Sequence, residues 1–139
     1  MKVTLDLDRN MRLIGRNSAG LETVFDSHPV AGGEETAATP MEIMLESLCG
    51  CSFMDVLAIL RKKRKTVTAM QVRAEAERSE SHPKVFTKVH LVYDLTSPDA
   101  ELADLQRAVD LSQQTYCGVS AMFKRSGCEV TWELMLKRA

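Results

Sequence analysis

Apolar and polar residues alternate at both ends of the chain, and apolar residues recur at helical spacing through its middle. Val3, Leu5 and Leu7 alternate with polar neighbours, Met11, Leu13 and Ile14 follow, and Leu21–Asp26 resumes after the turn signal Asn17-Ser18-Ala19-Gly20. This predicts an antiparallel meander of three short strands, its first turn near Asp8–Asn10. Residues 27–38, SHPVAGGEETAA, have no period and hold Pro29 and Gly32-Gly33. They form a loop that is long for so small a chain, and such loops often carry function.

Residues 39–63 are predicted as one long helix. Thr39 is an N-cap, Pro40 fits the first helical position, and Glu42 three residues on completes a capping box. The helix ends in Arg61-Lys62-Lys63-Arg64-Lys65, which suits the negative end of its dipole. At about 1.5 Å per residue it extends for roughly 35 Å. Leu45, Leu48, Phe53, Met54, Val56, Leu57, Ile59 and Leu60 make it apolar around most of its circumference, which predicts a buried central helix. Glu46 and Asp55 interrupt the run, so no membrane span is expected.

Beyond the helix, Met70, Val72, Ala74 and Ala76 alternate with Gln71, Arg73, Glu75 and Glu77, a strand with one wet face. After the turn 79–83, Val89, Leu91, Tyr93 and Leu95 define a second strand. Ser97-Pro98 is expected to open a helix with the stripe Leu102, Leu105, Val109 and Ser112. Residues 115–118 form a joint before a short helix, Val119–Arg125, and Cys128–Lys137 alternate as the last strand. The order β-β-β-α-β-β-α-α-β places the chain in the α+β class, with largely antiparallel sheet.

The 139 residues favour a single domain spanning 1–139: a meander and loop over 1–38, the helix over 39–63, and β-β-α-α-β over 67–137. A formal net charge of −1 gives no general attraction to nucleic acid. The alternating, charged N-terminus is unlike a signal peptide, so a cytoplasmic location is expected. In that compartment four cysteines are buried, catalytic or metal-binding rather than a disulfide framework. Cys49 and Cys51 point roughly 200° apart on a helix and do not grip one ion. No cofactor or metal is expected. Cys117, ahead of Gly118 at the start of a helix, should meet free amides and have a lowered pKa. Cys51 on its own reads as an apolar filler, Cys128 as core, and Cys49 has no assigned role. His28, His82 and His90 have no partner at ligand spacing. Asp55, if buried, needs a partner.

Three stretches carry a resemblance: Ala38-Thr39-Pro40-Met41-Glu42 opening the long helix, Cys49-Gly50-Cys51-Ser52, and Asp110-Leu111-Ser112 through Tyr116-Cys117-Gly118-Val119-Ser120. In order and spacing they resemble the OsmC/Ohr family, within it the YhfA-type branch, and the match covers essentially the whole length. The resemblance implies an OsmC-like fold, with antiparallel sheets wrapped around long central helices in an intertwined homodimer. It implies catalysis by Cys51 and Cys117: Cys51 attacks an organic hydroperoxide, Cys117 resolves the sulfenic acid, and an external dithiol such as a lipoylated protein resets the pair. Neither nucleic acid nor membrane is an implied partner. Glu42 is the candidate for the family's helix-opening glutamate, although Met41 directly follows Pro40 here. Arg9, Arg12 and Arg16 are candidates for its arginine partner. The same scaffold also admits a binding protein whose interface pocket holds a small apolar or thiol-reactive ligand without turnover.

Overall fold

The computed structural model describes all 139 residues and has the predicted α+β order. The chain divides into two compact units, residues 1–45 and 46–139.

In the first unit, β1 (Val3–Arg9), β2 (Arg12–Asn17) and β3 (Glu22–Phe25) pair antiparallel in sequence order. The first turn is made by Asn10, whose φ of 50° lies in the left-handed region that asparagine tolerates. The long loop is organised around Asp26, which is buried. Its carboxylate accepts from the amide of Ser27 at 2.8 Å, the amide of Thr36 at 3.0 Å and the Thr36 hydroxyl at 2.6 Å. The Thr36 hydroxyl, followed by these amides, holds the Asp26 carboxyl far below the usual carboxylate range. Gly33 is required there, since a Cβ would stand 1.9 Å from the carbonyl oxygen of Ser27. Val3, Leu5 and Leu7, the apolar row of β1, remain 51–69% exposed in the single chain.

Helix α1 (Pro40–Lys62) begins with the predicted capping box. The Thr39 amide donates to Glu42 Oε2 at 2.7 Å and the Glu42 amide donates to Thr39 Oγ1 at 3.3 Å. It ends at Arg64 in the left-handed region (φ 59°). The expectation of a helix buried all round is corrected. Within one chain only Leu48, Ser52, Val56 and Leu60 are buried, a stripe at four-residue spacing. By length and composition α1 also suffices to cross a membrane, with mean hydropathy 1.8 over its best 18 residues, of which 22% are buried. Glu46 and Asp55 therefore do not interrupt the apolar run as expected, because neighbouring Leu, Ile, Val and Met outweigh two carboxylates.

In the second unit, β4 (Ala69–Arg78), β5 (Phe86–Thr96) and β6 (Glu129–Lys137) form a sheet in the order β4-β5-β6. β4 runs antiparallel to β5, but β6 is parallel to it, pairing Val89 with Val130 and Leu95 with Leu136. The parallel pairing follows from the connection, since α2 (Leu102–Leu111) and α3 (Gly118–Arg125) carry the chain back before β6 starts. Val89, Leu91, Tyr93 and Leu95 on β5 are buried together with Val56, Leu60, Leu105, Ala108, Val109 and Phe123. The ring of Phe86 stacks on Phe123 at 5.5 Å. Ser97 does not cap α2. Its hydroxyl accepts from the amides of Asp99 and Ala100 and closes a turn instead. Glu101 is the N-cap, in a capping box with Asp104, and Leu102 is exposed rather than part of the stripe. Lys63 and Lys65 of the basic cluster pair with Asp104 at 2.6 and 3.3 Å.

Candidate active site

Between α2 and α3 the chain makes a single π-helical turn, Ser112–Tyr116. Cys117 follows in extended conformation, its amide donating to Ser112 O at 2.8 Å, and serves as N-cap of α3. Such turns insert a residue and redirect the next side chain, and they recur at functional sites. Here the redirected side chain meets α1. Cys51 Sγ, Cys117 Sγ and a carboxylate oxygen of Asp55 all lie within 4.8 Å of one another. Cys51 and Asp55 are one turn apart on α1 and so share a face. Both are half-buried, and Cys117 is buried.

A buried polar network adjoins the three. Ser52 Oγ bonds the Tyr93 hydroxyl at 2.5 Å and the Ser112 hydroxyl at 2.8 Å. The Ser112 hydroxyl also donates to Asp55 Oδ2 at 3.0 Å. Gln113 Nε2 donates to the Tyr93 hydroxyl at 2.8 Å and to Ser52 Oγ at 3.1 Å, and the Ser120 hydroxyl donates to Gln113 Oε1 at 2.6 Å. Lys124 Nζ donates to the carbonyl of Gln113 at 2.6 Å and sits 5.5 Å from the centre of the Trp132 ring. One helix, one strand and the α2–α3 junction are thus cross-linked beside the thiols, with each buried hydroxyl satisfied. Burial pushes the Tyr93 hydroxyl up to about 12, so it stays neutral.

The Cys117 thiol does receive an amide, that of Ser120, at 3.3 Å. Its pKa is nevertheless pushed up to about 11, against the expectation of a lowered value. Burial is the main cause. The Ser120 amide opposes it, while the neighbouring Cys51 and the Asp55 charge add to it. Lys124 is close enough to feel the charge of the Cys117 thiolate, although burial lowers its own pKa.

The other candidates have partners and surroundings of their own. All four cysteines are free thiols. Cys49 is outside the cluster, and burial followed by the Glu46 charge raises its pKa. Cys128 is buried as expected, and burial raises it too. Glu42 is committed to the helix cap, where the Thr39 amide and then the Thr39 hydroxyl lower its pKa. Arg9, Arg12 and Arg16 pair with Asp8, Glu34, Asp6 and Glu22. His28 pairs with Glu35, His90 bonds Thr131, and His82 is exposed. Residue-by-residue reading missed Ser52, Tyr93, Gln113 and Lys124. A polar residue directly after Cys51 in an apolar helix was the available signal.

Two thiols, one from a long helix and one from the start of a short one, thus meet on an α+β scaffold. The chain belongs to the OsmC-like protein family, whose profile matches residues 32–133. It is 34% identical over 116 residues to the protein YhfA of Escherichia coli strain K12, covering 84% of each chain. Among solved structures it resembles a hypothetical protein of Aquifex aeolicus VF5, with TM-score 0.81 and 32% identity over 98% of this chain and 96% of that one. It shares its fold with an organic hydroperoxide resistance protein of Legionella pneumophila, with TM-score 0.67 and 13% identity over 96% and 95% of the two chains.

Proposed function

We propose that the protein is a thiol-dependent peroxidase that reduces organic hydroperoxides, with Cys51 as nucleophile and Cys117 as resolving thiol. The observation that carries this reading is the approach of two free sulfurs, from α1 and from the cap of α3, to within 4.8 Å. A disulfide needs the two sulfurs to close from there to about 2.05 Å. A fold shared with a hydroperoxide resistance protein supports the same chemistry.

In the first step the Cys51 thiolate attacks the outer oxygen of RO–OH. The O–O bond breaks, the sulfur loses two electrons and becomes sulfenic acid, and the alkoxide takes up a proton to leave as ROH. In the second, the Cys117 thiolate attacks the sulfenic sulfur. The S–S bond forms, the S–O bond breaks, and hydroxide leaves as water after protonation. A dithiol of the lipoyl class then returns two electrons by exchange with the disulfide. The Ser120 amide and Lys124 are the groups placed to hold Cys117 as a thiolate when it attacks. Glu42 fixes the start of α1, the helix that carries Cys51.

The working unit in this reading is a homodimer. An apolar helix with 22% of its best window buried, and a β1 row left open, leave surface that a second copy of the chain covers. Four free thiols suit a reducing compartment, the cytoplasm.

Mass spectrometry of the protein after one equivalent of cumene hydroperoxide tests the chemistry. A loss of two hydrogens, with Cys51 joined to Cys117 in the digest, is the expected result. Unmodified thiols in excess peroxide leave the binding-protein reading in its place.

A further inference from the structure

The peroxidase scheme uses two of the three clustered groups and leaves Asp55 without a part. We propose that Cys51, Cys117 and Asp55 together form a site for a thiophilic divalent cation of the zinc class, bound by two thiolates and one carboxylate with a fourth position open, which masks the thiol pair from peroxide.

The geometry fits that donor set. At about 2.3 Å for Zn–S and 2.0–2.2 Å for Zn–O, tetrahedral ligand atoms stand roughly 3.5–3.8 Å apart. The three atoms already lie within 4.8 Å of one another, about an ångström beyond that spacing. The two donors on α1 are one helical turn apart and present one face, and the third comes from a cap held by the Cys117 N–H to Ser112 O bond. The ligands are also oriented from behind. The Ser112 hydroxyl donates to Asp55 Oδ2, and Ser112 is itself fixed by Ser52, while the Ser120 amide donates to Cys117 Sγ. Such outer hydrogen bonds fix ligand geometry in metal–thiolate and metal–carboxylate sites.

Charge favours the same conclusion. The ion pairs in residues 46–139 use Asp94, Glu101, Asp104 and Glu133, and none involves Asp55. The Asp55 carboxylate opposes thiolate formation at Cys117. A dication reverses that balance, turning three mutually repelling anions into ligands. Binding is then redox-neutral: both thiols deprotonate as the metal enters, and two protons are released per ion. The occupied site has no free thiolate to attack peroxide. It therefore stores the pair in a protected form that a chelator reopens.

Cobalt(II) titrated into the full-length protein, kept reduced with a phosphine and free of oxygen, provides the test without peroxide. Expected are one cobalt per chain, a near-ultraviolet sulfur-to-cobalt charge-transfer band, and displacement by zinc. Cys51→Ser and Cys117→Ser should each abolish or halve that band and weaken binding at least tenfold. Asp55→Asn should keep the band and weaken binding about tenfold. Cys49→Ser and Cys128→Ser should change neither. In the unmutated protein zinc should protect Cys51 and Cys117 from iodoacetamide and a chelator should restore the reaction, which removes any dependence on how the variants fold. Cobalt bound without the band, affinity unmoved by Cys51→Ser or Asp55→Asn, or alkylation unaffected by zinc overturns the site. A protein that turns over hydroperoxide but binds no cobalt sinks this inference and leaves the peroxidase reading intact, whereas cobalt binding without turnover does the opposite.

Discussion

Replacing Tyr93 by Phe removes one oxygen atom from the largest fully buried side chain and should cost stability out of proportion to its size. Tyr93 has no exposed surface. Its hydroxyl bonds Ser52 Oγ at 2.5 Å and accepts from Gln113 Nε2 at 2.8 Å. After the substitution neither partner is orphaned, because Ser52 keeps Ser112 and Gln113 keeps Ser52 at 3.1 Å. The loss is therefore two net hydrogen bonds rather than a buried unsatisfied group, about 2 kcal/mol in all or roughly a thirtyfold change in the folding constant. Ser52→Ala removes three bonds and leaves the Tyr93 hydroxyl with Gln113 alone, so it should cost more, about 3 kcal/mol. Because the three side chains share partners, the double variant should lose less than the sum of the two singles. Urea unfolding followed by circular dichroism measures all of these, at one protein concentration so that any association contributes equally. Tyr93→Phe within about 0.3 kcal/mol of the parent, or strict additivity with Ser52→Ala, refutes the view that this network ties the thiol-bearing elements together.

Cys117→Ser should stop disulfide formation and leave Cys51 as a sulfenic acid that dimedone captures; an unlabelled, fully reduced Cys51 after peroxide would contradict its assignment as nucleophile. Acid should loosen the loop around Asp26. Its carboxyl is depressed in the fold, so its contribution is complete above the unfolded value near 4 and fades as pH falls toward the folded one. Amide exchange at Thr36 should accordingly speed up in that window, and Asp26→Asn should flatten the dependence. Gly33→Ala should destabilise the same loop by at least about 2 kcal/mol, since its Cβ cannot fit 1.9 Å from the Ser27 carbonyl oxygen, and an unchanged melting temperature would contradict this. Sedimentation velocity at micromolar concentration should give a dimer, and a soluble monomer would remove the partner from the proposed working unit.

Alternation and capping chemistry made most of the fold legible in the sequence. The two half-buried edge strands β4 and β6 alternate as Met70, Val72 and Ala74 do, and Thr39-Pro40-Met41-Glu42 marks the first turn of α1 by chemistry local to four residues. Where local signals competed, the reading failed. Ser97 offered the same cap-plus-proline signature as Thr39, but its hydroxyl closes a turn on Asp99 and Ala100, leaving Glu101 to cap α2. The parallel entry of β6 depends on how far two helices carry the chain, which no window of residues records. The π-helical turn before Cys117 has no compositional mark either, yet it decides where the thiol points.

Those failures bear directly on the site. Cys117 at a helix start was expected to be acidic because free amides surround such positions, and the Ser120 amide is indeed there. What the local rule omits is burial and company. The π-helical turn delivers the sulfur into a closed space beside Cys51 and Asp55, where desolvation and like charge outweigh one hydrogen bond and push the thiol up to about 11. A Cys117 thiol held protonated at rest needs a cation or a positioned proton acceptor to attack as a thiolate. Lys124, brought near by the same α2–α3 junction, is the cation that the chain itself supplies. Replacing it with Met keeps the length over Trp132 while removing the charge. That substitution should slow closure of the Cys51–Cys117 disulfide more than it slows formation of the sulfenic acid, and stopped-flow measurement of both phases separates the two. Equal slowing of both phases, or of neither, would remove Lys124 from the resolving step.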